Sequence, residues 1–182
     1  MAVYTTVDDD ALHLFLGKYD LGNVLSFAGI AEGVENSNYL LRTDRANYIL
    51  TLYEKRVEPT DLPFFLELME TLAKAGMNCP LPVHASDGSV LQELEGRPCA
   101  IFTFLDGTWS RHPNRDKCAA LGKALAQMHL NAAAMTRSRP NALGPLAWQP
   151  LFSEVKDHAD ELGTGMATQI QERLDAIIAA WP

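Results

Sequence analysis

Gly29-Ile30-Ala31-Glu32-Gly33-Val34-Glu35-Asn36-Ser37-Asn38-Tyr39-Leu40-Leu41 joins two strand-like runs, and its reading decides how the chain is organised. The glycines at 29 and 33 let backbone N–H groups come close to an anion. The stretch is not a P-loop, because G-x-x-x-x-G-K-[ST] is absent and the run leads into a strand rather than a helix. Nor does it carry G-x-G-x-x-G. Spacing alone leaves two readings open, an ordinary glycine-containing hairpin turn or a loop that binds an anion.

On the N-terminal side, Leu12, Phe15, Leu16 and Tyr19 recur at helical spacing behind the acidic turn Asp8-Asp9-Asp10, and Gly22 is expected to stop that helix. Around the quoted stretch, Val24–Gly29, Ser37–Arg42 and Asn47–Tyr53 predict an antiparallel meander. A helix follows, capped by Thr60 or Asp61, with Pro63 in its first turn and Gly76 at its end. Its apolar stripe is Leu62, Phe65, Leu66, Met69, Leu72 and Ala73. Ser89–Leu94 and Pro98–Phe104 read as a hairpin turning at Glu95-Gly96. From Asp106 the composition changes: a turn-rich segment precedes an amphipathic helix through Cys118, Leu121, Leu125 and His129. A proline-rich loop is predicted from Arg137 to Pro150, then two further helical stretches.

Bulk composition excludes several classes. The 182 residues carry 15 Lys plus Arg against 23 Asp plus Glu, a net charge of -8, with the basic residues scattered. Such a surface repels nucleic acid and anionic lipid. The cysteines, Cys79, Cys99 and Cys118, are odd in number and form no C-x-x-C, so they read as buried thiols of a reducing compartment. The polar, acidic N-terminus is unlike a signal peptide, and no apolar run approaches the roughly 20 residues needed to span a bilayer. A cytoplasmic protein is the expectation.

The quoted stretch closely resembles the first hairpin of the bacterial homoserine kinases that share the choline kinase and aminoglycoside phosphotransferase fold. Tyr48-Ile49-Leu50-Thr51-Leu52-Tyr53-Glu54-Lys55-Arg56-Val57, running on to Asp61-Leu62-Pro63-Phe64-Phe65, resembles the same family. So do Met1 to Tyr4, Tyr19-Asp20-Leu21-Gly22 and Arg139-Pro140-Asn141-Ala142-Leu143-Gly144. The resemblance implies an α+β, protein-kinase-like fold. Residues 1–105 would form an antiparallel-sheet N-lobe with one packed helix, ending in the inter-lobe hinge. Residues 106–182 would form a linker and the first helices of a truncated helical C-lobe. The implied reaction is ATP-dependent phosphorylation of L-homoserine to O-phospho-L-homoserine, with Mg²⁺, in threonine biosynthesis. The alternatives are a related kinase of the choline, methylthioribose or aminoglycoside type, or a non-catalytic nucleotide-binding or interaction module.

Carried over by the resemblance, Gly33, Val34, Glu35, Asn36, Ser37 and Asn38 should cover the nucleotide phosphates. Phe102-Thr103-Phe104-Leu105 falls at the family's hinge, where backbone groups of Thr103 and Leu105 would meet the adenine. Ile30, Tyr39 and Leu50 are candidate apolar walls. Two departures stand out. Thr51 occupies a strand slot where many relatives carry Lys or Arg, and the helix slot for its Glu partner falls near Phe65. Strand alternation puts Lys55 on the side of Thr51, which makes Lys55 with Glu70 a candidate replacement. The family's catalytic pattern His-x-Asp-x-x-x-x-Asn, with its following metal-binding Asp, does not occur. Catalytic residues and Mg²⁺ ligands are therefore expected beyond Pro182, and His129 reads as a core histidine of its helix.

Overall fold

The computed structural model describes residues 3–54 and 58–181. The chain separates into two compact units that meet between Ser138 and Arg139. In the first unit, α1 (Asp9–Leu16) is capped by the Asp8 carboxylate, which accepts from the N–H groups of Asp10 and Ala11. It ends at Leu16, short of the Gly22 stop that the sequence predicts. Backbone bonds from Lys18 to Phe15 and from Tyr19 to Leu16 turn the chain out of the helix, yet Tyr19 stays buried.

Five strands follow: β1 (Val24–Gly29), β2 (Ser37–Thr43), β3 (Asn47–Leu52), β4 (Gln92–Leu94) and β5 (Arg97–Thr103). They form one antiparallel sheet in the order β1-β2-β3-β5-β4. The β4–β5 turn falls at Glu95-Gly96, both with positive φ (53° and 67°), as a two-residue hairpin loop of mirror-image type requires. β4 is shorter than predicted, because Asp87 and Ser89 hold a turn through their side chains instead of extending the strand.

Pairing register sorts the side chains between the two faces. Tyr39, Leu50 and Ile101 are mutual partners on one face, as are Ser37, Leu52 and Cys99. There Leu41, Leu50, Leu52 and Ile101 pack with Leu12 and Phe15 of α1 in the main core. Each fully buried leucine contributes about 1.5–3 kcal/mol. The other face carries Asn38, Thr51 and Ala100 in one row and Leu40, Ile49 and Phe102 in the next. Ala100 and Phe102 pack there against Leu66 and Met69 of α2 (Leu62–Lys74), with Tyr53 alongside. The sheet is thus covered on both faces.

α3 (Arg115–Ala132) begins at Asn114, whose side chain accepts from Lys117 N–H at 2.9 Å. None of its residues is buried, and His129, read from the sequence as a core residue, is exposed. The cysteines also divide: Cys99 is buried, Cys79 half-buried and Cys118 exposed, which corrects the expectation of three buried thiols.

In the second unit α4 (Pro145–Val155) occupies part of the predicted loop. Pro145 sits at the helix start, where its missing N–H costs nothing, so proline content there did not mean loop. A 3₁₀ segment, Lys156–Glu161, leads to α5 (Met166–Ala180). Trp148 stands edge-on to Trp181, and the side chains of Gln149 and Gln171 exchange two hydrogen bonds of 3.0 and 3.1 Å. No helix among the described residues is long and apolar enough to cross a membrane.

Candidate nucleotide site

A cavity of about 450 Å³ opens on the α2 face of the sheet, lined by Asn36, Asn38, Ile49, Thr51, Tyr53, Met69, Pro80, Phe102, Thr103, Phe104 and Leu105. The volume suits a drug-sized or nucleoside-sized ligand, for which about 300–1,000 Å³ is typical. Apolar walls come from Ile49, Met69, Phe102, Phe104 and Leu105, and polar groups stand at two ends.

At one end, the Thr51 hydroxyl donates to the Asn38 side-chain oxygen at 2.8 Å, and Asn36 Oδ1 accepts the Glu54 N–H at 3.4 Å. At the other, the chain leaves β5. Thr103 and Tyr48 are directly opposed, and the next bond, from Phe104 N–H to the Asn47 carbonyl, makes theirs a non-hydrogen-bonded pair. Thr103 therefore turns its N–H and C=O away from β3. The N–H donates to the Leu81 carbonyl and the hydroxyl accepts from Leu81 N–H, both at 2.9 Å. The carbonyl of Thr103 and the N–H of Leu105 meet no partner among the described residues. An acceptor and a donor two positions apart where the chain leaves β5 match the edge of a planar heterocycle.

None of the lining residues carries a formal charge. Burial pushes the Tyr53 phenol up to about 12, so it stays protonated and neutral throughout the physiological range. Nothing in this lining serves as a general base or nucleophile at neutral pH. Among the described residues, no three His, Cys, Asp or Glu side chains cluster as a metal site.

The sequence-predicted residues divide clearly. Asn36, Asn38, Thr103, Phe104 and Leu105 converge on the cavity. Gly33, Val34 and Glu35 form the exposed tip of the loop, with Gly33 at φ 120°. Ile30 is half-buried at its base, where its N–H donates to the Asn38 carbonyl at 2.8 Å. Ser37, Tyr39 and Leu50 stand on the opposite face of the sheet. Tyr39 is stacked on Phe27 with its hydroxyl donating to the Thr5 carbonyl, and Leu50 is wholly buried, so neither lines the cavity. Glu70 faces away as well, with its carboxylate 2.9 Å from His84 Nε2 and 3.9 Å from Lys74 Nζ. Lys55, its predicted partner, lies outside the described residues.

Sequence reasoning missed Ile49, Thr51, Tyr53, Met69, Pro80 and Phe102 as lining residues. The signal that finds the strand positions among them is parity: Ile49, Thr51 and Tyr53 alternate on the side of Asn38.

Comparison with known proteins bears on these assignments. The family model described as "Phosphotransferase enzyme family" matches residues 26–182. A homoserine kinase of Paramagnetospirillum magneticum is 53% identical over all 182 residues, which cover 56% of that relative. A homoserine kinase of Bradyrhizobium diazoefficiens is 54% identical, again over the whole chain and 56% of the relative. The chain thus spans little more than half the length of the curated relatives it matches. Among solved structures, a spectinomycin phosphotransferase in complex with ADP and spectinomycin superposes with a TM-score of 0.63 at 15% identity, covering 85% of this chain and 48% of that one. A microcompartment-associated aminopropanol kinase gives 0.59 at 18%, covering 85% and 56%. At these identities the likeness concerns the fold alone.

Proposed function

Because the chain belongs to the phosphotransferase enzyme family, we propose that it binds ATP in the cavity between the 30–37 loop and the Thr103–Leu105 edge. The whole protein, in this proposal, phosphorylates the hydroxyl of L-homoserine to give O-phospho-L-homoserine in threonine biosynthesis, in the cytoplasm. The observation that carries the substrate assignment is identity of 53% to a homoserine kinase along every residue of the chain.

The cavity supports the nucleotide half of the proposal. Adenine would lie between Ile49, Met69 and Phe102, with its edge against the Thr103 carbonyl and the Leu105 N–H. Its phosphates would extend toward Asn36, Asn38 and the backbone of Gly33–Glu35. ATP supplies the γ-phosphoryl group, and this part of the chain binds and orients it. No carboxylate is in the cavity lining, so those residues do not make a magnesium site. Mg²⁺ enters the proposal only as the partner of the nucleotide. Residues 1–105 are proposed as the nucleotide-binding lobe and 106–182 as the linker and opening helices of the helical lobe.

The test uses the product of the complete reading frame with ATP and ³¹P detection of the phosphorylated product. Homoserine should show the highest kcat/KM in a panel containing choline, methylthioribose and an aminoglycoside. A preference for any of the other acceptors overturns the substrate assignment. The 182-residue chain alone is expected to bind ATP and to form no O-phosphohomoserine.

A further inference from the structure

The amino-terminal segment is tied to the 30–37 loop by hydrogen bonds at one foot and at the tip, and by close packing at the other foot. Val3, Thr5 and Val7 point inward and Tyr4 and Thr6 outward, the alternation of an extended chain. Ser37 at one foot is fully buried, and its Oγ accepts from the N–H groups of Tyr4 and Thr5 at 2.8 and 3.1 Å. The same hydroxyl donates to Glu54 Oε1 at 2.6 Å, and Glu54 Oε2 is held by Arg97 Nε at 3.2 Å. At the other foot, Gly29 passes so close to Val3 that an added Cβ would lie 2.8 Å from Val3 Cγ2. At the tip, the Tyr4 hydroxyl donates to the Val34 carbonyl at 3.1 Å.

Apolar packing would suffice to hold a chain terminus in place. A buried hydroxyl with its donor and both acceptor positions used does more, because each bond is directional and fixes one arrangement. We infer that Val3–Thr6 is a strap that sets the position of the loop over the cavity, with Tyr4 the positioning residue at its tip. The loop is otherwise an exposed hairpin end, whose backbone amides bind phosphate well only if they are held in place beforehand. The strap acts on the phosphate end of the ligand and leaves the adenine end alone. This inference rests on the nucleotide reading of the cavity.

The experiment compares ATP with adenosine by titration calorimetry on the 182-residue chain. Tyr4 is 57% exposed, so Tyr4→Phe removes one hydroxyl without opening the core. It should weaken ATP about three- to tenfold, the worth of one hydrogen bond, and leave adenosine within about twofold. The urea midpoint should not move. Gly29→Ala, which pushes Val3 away from the other foot, should give the same split between the two ligands. Wild-type ATP affinity in both variants overturns the strap, and so do equal losses for ATP and adenosine. A wild-type chain that binds neither ligand overturns the nucleotide reading itself, which the variants would not have touched.

Discussion

Thr51 and Asn38 are directly paired residues of β3 and β2, and the Thr51 hydroxyl donates to the Asn38 amide oxygen at 2.8 Å on the cavity wall. The bond takes one lone pair of the amide oxygen and orients the amide, which leaves its NH₂ to donate toward a ligand. The family resemblance carries the expectation of a cationic side chain in the slot of Thr51. Here that wall is neutral, built from a hydroxyl and an amide that satisfy each other. A buried ammonium would require a desolvated partner, and Glu70 is turned toward His84.

Thr51→Val tests this pair. Valine keeps the shape of threonine and strands the Asn38 oxygen at a position where Thr51 is 8% exposed. We expect a loss of about 1 kcal/mol in urea unfolding, with Thr51→Ser recovering most of it. ATP affinity should fall in Thr51→Val because the amide is then free to rotate. Unchanged stability and affinity would show that the pair does not orient Asn38.

Arg97 provides the second case. Its Nε lies 3.2 Å from Glu54, whose side chain is only 9% exposed. Arg97→Met would leave that carboxylate with the Ser37 hydroxyl and no cation among the described residues. A cost of about 1–3 kcal/mol is expected, less than for a fully buried pair because Arg97 is itself a third exposed. Adding Glu54→Gln should recover part of the loss, which a double-mutant cycle in urea would measure.

What the sequence made legible, and what it did not, follows from these same residues. The strands, the α2 helix and the Glu95-Gly96 turn were readable because turn residues and helical spacing punctuate them. Facing was not readable in Ile49-Leu50-Thr51-Leu52, because α1 and α2 cover both faces of the sheet and erase the alternation of apolar with polar. The resemblance makes Leu50 a candidate wall, whereas Ile49 is the lining residue. The family resemblance puts Ser37 within the phosphate-covering turn Gly33–Asn38, and resemblance carries no information on facing. Only the register shows it pointing the other way, into the strap. The role of Glu70 depended on His84, fourteen residues away, a contact without any sequence pattern.

His84 makes that contact pH-dependent. Its Nδ1 is 3.0 Å from the Gly88 carbonyl and its Nε2 is 2.9 Å from Glu70 Oε1. Both neighbours are acceptors, so only the imidazolium satisfies both at once. The Gly88 carbonyl first, and then the Glu70 carboxylate, raise the His84 pKa above 6.5, against desolvation and the weaker repulsion of Lys74. A raised folded pKa means stabilisation that is complete below the unfolded value and is lost as pH rises through the folded one. His84→Ala should therefore cost more stability near about pH 5.5 than near about pH 8.5, the two sides of an ordinary histidine titration. Equal urea midpoint shifts at both values would rule out the charged His84–Glu70 contact.

Adjacent residues of β3 offer the sharpest test of the cavity assignment. Leu50 is fully buried against α1, whereas Ile49 faces the cavity from the next position. Leu50→Ala should cost about 2–5 kcal/mol of stability through the void it leaves, and the surviving folded protein should bind ATP as before. Ile49→Ala should cost less stability, since its side chain is only half-buried. It should weaken both ATP and adenosine about fivefold, because it removes roughly 1 kcal/mol of apolar contact with the base. Loss of adenosine binding thus separates Ile49 from Tyr4, whose hydroxyl should affect ATP alone. The reverse pattern, with Leu50→Ala weakening adenosine and Ile49→Ala leaving it untouched, would mean that the nucleotide lies on the α1 face, and both the cavity and the strap would have to be abandoned.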